Sequence, residues 1–229
     1  MSLRDHPLLY VFLEAHDLAV QREFLESVAG LSLLETDDDP KHRHGVVKYA
    51  AGTLIISVNL APPSRFVSAT VDGLTFLFAG GTAERVDEYG HRYLLGPPGS
   101  GVTGLRLTAD DPDVTAAFYR DVLGLPEIEP GHTFATGSVP LVLTRGDGRP
   151  VRHDTYLLVF HTPDIERTSA DLTARGVTFA GRGTSDKDIG RTMRFADPSG
   201  HRLCLYEPSG EALARSAGAA IRTIVAGPA

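Results

Sequence analysis

The sequence predicts an α+β fold built from repeated βαβββ modules. Three observations predict it: two near-matching helical segments, period-two strands around each of them, and Gly/Pro-rich linkers between the units. Residues 17–35, DLAVQREFLESVAGLSLLE, align without a gap on residues 111–129, DPDVTAAFYRDVLGLPEIE. Asp17/Asp111, Phe24/Phe118, Val28/Val122, Gly30/Gly124, Leu31/Leu125 and Glu35/Glu129 coincide. Self-similarity of this kind marks a repeated supersecondary unit.

Each element follows from local chemistry. Asp17 and Asp111 are suited to accept the unpaired N–H groups of a first helical turn, and Gly30 and Gly124 to the left-handed position that ends a helix. Between them Leu18, Phe24, Leu25 and Val28, or Val114, Phe118, Val122 and Leu123, form an apolar stripe at helical spacing. A weaker third copy runs from Asp164 through IERTSADLTARG to Gly176. The strands LLYVFLE (8–14), GLRLTA (104–109) and TYLLVFHT (155–162) precede the three helices. Behind them follow GVVKYA and GTLIISVNL, then HTFAT and VPLVLTR, then GVTFAG, TMRFA and HRLCLYE. Between residues 66 and 96, VSATVDGLTFLFAGG and HRYLL read as strands, and TAERVDEYG (82–90) as at most a short turn of helix. The expected domains are residues 1–98 (one clear module plus a strand-rich degenerate part), residues 99–210 (two modules), and an Ala-rich tail, 211–229, expected to pack as a short helix.

Bulk composition excludes several classes. The 229 residues are 42% hydrophobic and 22% charged, enough for a sizeable core. A net charge of −7 with scattered Lys and Arg argues against nucleic acid and favours a neutral or cationic ligand. One cysteine excludes an intramolecular disulfide and fits a reducing compartment. The apolar run Pro7–Leu13 is too short to span a membrane and no small-residue cleavage site follows, so a cytoplasmic location is expected.

Two pieces, FYRDVLGL at 118–125 and FADPSGHRLCLYEP at 195–208, together with the modules, resemble the vicinal-oxygen-chelate superfamily. That superfamily includes glyoxalase I, extradiol dioxygenases and fosfomycin- and bleomycin-resistance proteins. The resemblance covers roughly residues 7–62 and 101–208. It implies curved mixed sheets around a cup holding a divalent metal. His or Gln from a first strand and Glu from a last strand would be its ligands. Alignment on the capping aspartates puts the first-strand position at Tyr10, Gly104 and Leu157. The last-strand position falls on Cys204, and near Ile56 and Val142 in the other units. None of these is a usual ligand for a hard metal, so no metal and no cofactor is expected.

Strand alternation then names a lining for a ligand cup: Tyr10, Phe12 and Glu14; Arg106 and Thr108; Thr155, Leu157, Val159 and His161; and Cys204 with Arg202 and Tyr206. Cys204 reads as a small buried filler, with a nucleophile as the alternative. His153 and His161 flank Leu157 on one face, and Asp37, Asp38, Asp39, His42 and His44 crowd one turn; solvated or hydrogen-bonded roles outweigh metal binding for both groups. His91, His132 and His201 stand alone in sequence. No Ser-His-Asp order, phosphate loop or CxxC is present. With those ligand positions empty, the resemblance to bleomycin-resistance proteins within the superfamily implies a metal-free protein, often a homodimer, that binds a small organic molecule such as an antibiotic or natural product. The alternative is a metal-dependent dioxygenase, lyase or isomerase with displaced ligands, His44, His91 or His161 among them.

Overall fold

The computed structural model describes residues 2–39, 44–66, 70–129, 132–147, 151–181 and 183–227. Among them, the first unit is β1 (Leu8–Ala15), α1 (Leu18–Glu23), β2 (Ser32–Asp39), β3 (His44–Ala50) and β4 (Ile55–Leu60). The following region supplies β5 (Val71–Asp72), β6 (Leu74–Phe78), β7 (Ala83–Val86) and β8 (Arg92–Leu95). The next unit is β9 (Val102–Ala109), α2 (Pro112–Ala117), β10 (Glu127–Glu129), β11 (Thr133–Phe134) and β12 (Leu141–Arg145). After β13 (Val151–Arg152), the last unit is β14 (Tyr156–His161), α3 (Ile165–Ala174), β15 (Thr184–Asp186), β16 (Gly190–Ala196) and β17 (Arg202–Pro208). Two helices end the chain, α4 (Gly210–Ala214) and α5 (Gly218–Ala226). No helix among the described residues is long and apolar enough to cross a membrane.

The caps form as their residue types dictate. Asp17 accepts from the N–H groups of Ala19 and Val20, Asp111 from those of Asp113 and Val114, and Asp164 from that of Arg167. Gly30 and Gly124 take φ of 68° and 73°, the left-handed conformation in which a side chain is strained. The apolar stripe is shifted from the expected one. α1 and α2 each run on into a π-helical turn, Phe24–Val28 and Phe118–Val122. The wider turn carries Gln21, Leu25 and Ala29, or Thr115, Tyr119 and Leu123, inward at intervals of four. Val28 and Val114 are left exposed.

The sheets do not follow the two sequence halves. Strands order as β15-β16-β17-β14-β1-β4-β3-β2 in an eight-stranded sheet and β10-β11-β12-β9-β6-β8-β7 in a seven-stranded one. The first unit therefore pairs with the last, through antiparallel β1 and β14, across the expected 98/99 boundary. One core cluster joins both sheets, from Leu8, Val11 and Leu13 to Leu74, Phe76, Leu105 and Leu107.

Two expectations are corrected. Residues 82–90 are not helical: β7 pairs antiparallel with β8. β6 pairs antiparallel with β9 and parallel with β8, as β14 does with β1 and β17. The region is thus a fourth unit in which the helix is missing, since only residues 79–82 join β6 to β7. GVTFAG forms no strand; Phe179 makes a single bridge to Phe195. The Ala-rich tail forms α4 and α5.

Candidate functional site

The cup lies on the face of the eight-stranded sheet turned away from the shared core. Register places Ile55, Tyr10, Val159 and Cys204 side by side across β4, β1, β14 and β17. Together with Leu9, Leu157 and Tyr206 they form a second apolar cluster. Ile221 and Ile224 of α5 belong to it too, so the chain's own tail fills one end of the cup. Ala217 N–H donates to Glu35 at 3.0 Å, and Arg215 lies 3.6 Å from Asp37, fixing the tail over β2.

The other end is a cavity of about 270 Å³. Phe12, Leu157, Val159, Cys204 and Tyr206 make its floor, and Glu14, Thr155, Asp186, Thr192, Arg194 and Arg202 supply polar groups. Phe12 is held flat by Tyr10, stacked beneath it at 5.4 Å with the planes 22° apart. Tyr206 meets Tyr10 edge-on at 6.0 Å and donates its hydroxyl to the Ile189 carbonyl at 2.8 Å. Burial pushes the Tyr206 hydroxyl and the Cys204 thiol each up to about 12, the latter against a weak opposing pull from Arg194. Both are neutral near pH 7, so Cys204 presents a thiol and not a nucleophilic thiolate.

The charged groups of the lining are unequally engaged. Glu14 pairs with Arg65 at 2.9 Å. Asp186 accepts from the Asp188 and Ile189 N–H groups at 2.8 and 3.1 Å. Arg202 donates to the Asp154 carbonyl. The side chain of Arg194, directly across from Cys204 in the β16–β17 register, makes no hydrogen bond or ion pair among the described residues.

Of the residues expected in the lining, Phe12, Glu14, Thr155, Leu157, Val159, Arg202, Cys204 and Tyr206 converge here. Tyr10 lies beneath the floor as support. His161 sits at the opposite end of β14 and does not reach the cavity. Arg106 and Thr108 are on β9 in the other sheet, because the second unit pairs with the degenerate one. Ile56 points into the core and its neighbour Ile55 takes the cup position. His153 packs edge-on against His201 at 4.4 Å. His42 lies outside the described residues, as do the side chains of Asp38, Asp39 and His44. Among the described residues no group of three or more His, Cys, Asp or Glu side chains is arranged to hold a metal ion.

Two histidines that looked isolated are buried network members. Asp87 accepts from His91 Nδ1 at 2.8 Å, Gln21 Nε2 at 2.8 Å and the Tyr93 hydroxyl at 3.1 Å. Asp72 lies 3.6 Å from His91 Nε2 and accepts from Arg152 at 3.4 Å and Thr155 at 2.5 Å. Burial pulls the His91 pKa down, but the two carboxylates outweigh it and hold it above its ordinary value. In the closing hairpin, Asp197 accepts from the Ser199 and His201 N–H groups at 2.9 Å and from the Tyr119 hydroxyl at 3.1 Å. The two turns are copies: DEYGHR at 87–92 and DPSGHR at 197–202 share Asp, Gly, His and Arg at the same spacing. That repeat was the sequence signal for the fourth unit and for both networks.

Residues 101–205 match the family model described as Glyoxalase/Bleomycin resistance protein/Dioxygenase superfamily. No curated protein matches the chain. Among solved structures, glyoxalase I from Zea mays aligns at TM-score 0.66 and 14% identity, over 88% of this chain and 92% of that one. A putative dioxygenase from Bacillus subtilis aligns at TM-score 0.64 and 14% identity, over 95% and 90% of the two chains. TnmS3, an antibiotic binding protein from Streptomyces sp. CB03234, is 27% identical over 48% of this chain and 97% of that one, at TM-score 0.40. At these identities the two longer alignments speak for the fold, and the family match speaks for the C-terminal half. Residues 101–205 are therefore similar to the Glyoxalase/Bleomycin resistance protein/Dioxygenase superfamily, and the fold of glyoxalase I extends over both halves of the chain.

Proposed function

We propose that the protein binds a small organic molecule in the open end of its cup, without a metal ion. The observation that carries this reading is the chemistry of the row where the fold's metal would sit. Tyr10, Ile55, Leu157, Val159 and Cys204 offer a buried hydroxyl and a buried thiol amid hydrocarbon. A hard divalent ion needs several oxygen or nitrogen donors, and such a metal does not fit this set. What the row does suit is an apolar ring lying on Phe12 and Leu157. At about 270 Å³ the cavity lies at the small end of ligand pockets, which run to ~300–1,000 Å³. That size favours a ligand of one or two rings, or one end of a larger natural product.

The test is calorimetric titration of the purified protein with a panel of aromatic antibiotics and natural products, beside elemental analysis. Binding to at least one member is expected, and Phe12→Ala should weaken it about tenfold or more through loss of the stacked floor. Stoichiometric iron, manganese, nickel or zinc, or no binding across the panel, would overturn the reading.

A further inference from the structure

We infer that the ligand carries a carboxylate on its aromatic ring, recognised by Arg194 and Arg202 on either side of Cys204. This inference rests on the ligand-binding reading above and names the chemical class that the same cavity takes. The chain's net charge of −7 points the other way, toward a cation. Net charge, however, is spread over a surface far larger than the ~8 Å over which salt screens exposed charges at physiological strength. The groups that line the cavity decide.

Those groups are asymmetric. Both carboxylates of the lining are committed: Glu14 to Arg65 at 2.9 Å, and Asp186 to two backbone N–H groups at 2.8 and 3.1 Å. These partners offset part of the negative charge that a ligand ammonium would meet, leaving one oxygen of each carboxylate. The cations are placed differently. β16 and β17 run antiparallel with Arg194 opposite Cys204 and Ala196 opposite Arg202. Arg194 and Arg202 are therefore diagonal neighbours on the cup face, close enough for both guanidiniums to reach one group. Between them Cys204 has a short side chain that leaves room. Arg202 spends one N–H on the Asp154 carbonyl, which steadies it, and Arg194 spends none among the described residues. Leu157 and Phe12 adjoin Arg202 across the sheet, so a ring on that floor directs its substituent between the two arginines. A planar carboxylate matches the guanidinium fork in geometry as well as in charge.

Three bicyclic probes of equal size separate the parts: naphthoate, neutral naphthamide and naphthylmethylammonium, titrated calorimetrically into the full chain. Naphthoate is expected to bind about tenfold or more tighter than naphthylmethylammonium, with a preference that shrinks as salt is raised. In Arg194→Gln the preference should fall to about twofold, naphthoate losing more affinity than naphthamide; Arg194→Lys should restore part of it. Naphthamide binding without any preference for naphthoate, or an unchanged preference in Arg194→Gln, would overturn the carboxylate inference and leave the cavity reading intact. If none of the three binds, both are overturned.

Discussion

Asp197 and His201 share one turn, and burial drives them in opposite directions. Desolvation raises the Asp197 carboxyl to about 6 despite four hydrogen bonds that oppose it. Desolvation, helped by His153, lowers the His201 imidazole to about 3. Unfolded, the two titrate near ~3.9 and ~6.5. Between about pH 4 and 6 the folded form keeps its proton on Asp197 and the unfolded form keeps one on His201. The proton counts match, so the pair adds no pH slope to stability. Single variants unmask each half. With Asp197→Asn only the depressed histidine remains, and stability should fall as pH drops through that window by about 1.4 kcal/mol per unit. With His201→Gln only the raised carboxyl remains, and stability should rise by a similar amount as pH drops. Urea midpoints across the window check both signs; equal slopes in the two variants would contradict the assignment. Cys204, 1% exposed and with its thiol pushed up to about 12, should not react with a disulfide reagent in the native protein, and should react fully in denaturant. Cys204→Ser should leave ligand affinity within about twofold while costing ~1–3 kcal/mol for burying a hydroxyl.

At the scale of elements, most of the architecture was legible because it rests on local chemistry. The Asp caps, the positive-φ glycines and the period-two strands each require particular residue types at fixed spacing. What escaped did so for physical reasons. A π-helical turn has no residue signature, so the inward face was read one position off at Val28 and Val114. The β7–β8 hairpin was obscured because Glu84, Arg85 and Glu88 give it the composition of a solvated turn, although its Asp-x-x-Gly-His-Arg copy was visible. Eight of the twelve expected lining residues converge because they lie on strands joined in one sheet. Arg106 and Thr108 went astray because alternation specifies a face of a strand but not its partner. The tail's role was also hidden, since an Ala-rich helix does not announce the surface it covers. Ile221 is 2% exposed against Tyr10 and Ile55, so Ile221→Ala should cost ~2–4 kcal/mol in a denaturant melt. Affinity at the other end of the cup should be unchanged, and a loss of binding as large as the Phe12→Ala loss would show that the two ends are one site.

At the scale of the molecule, the two sheets are interleaved through the chain and joined by one core. Residues 101–205 match one family model, yet β14 takes its antiparallel partner from β1 and β9 takes its own from β6. An isolated 101–208 fragment is therefore expected not to form a folded monomer; sedimentation and circular dichroism should find it unfolded or paired with a second copy. A stable monomer would mean that the second and last units can pair with each other. The interleaving also sets an order of events during synthesis. β1 ends at Ala15 and its partner β14 begins at Tyr156. At ~5–20 residues per second, an apolar strand edge with Leu8, Val11 and Leu13 along it waits roughly 7–30 s for its mate. Folding is then gated by one late, long-range pairing. Through that interval the nascent chain is most exposed to misassociation and most in need of chaperone shelter.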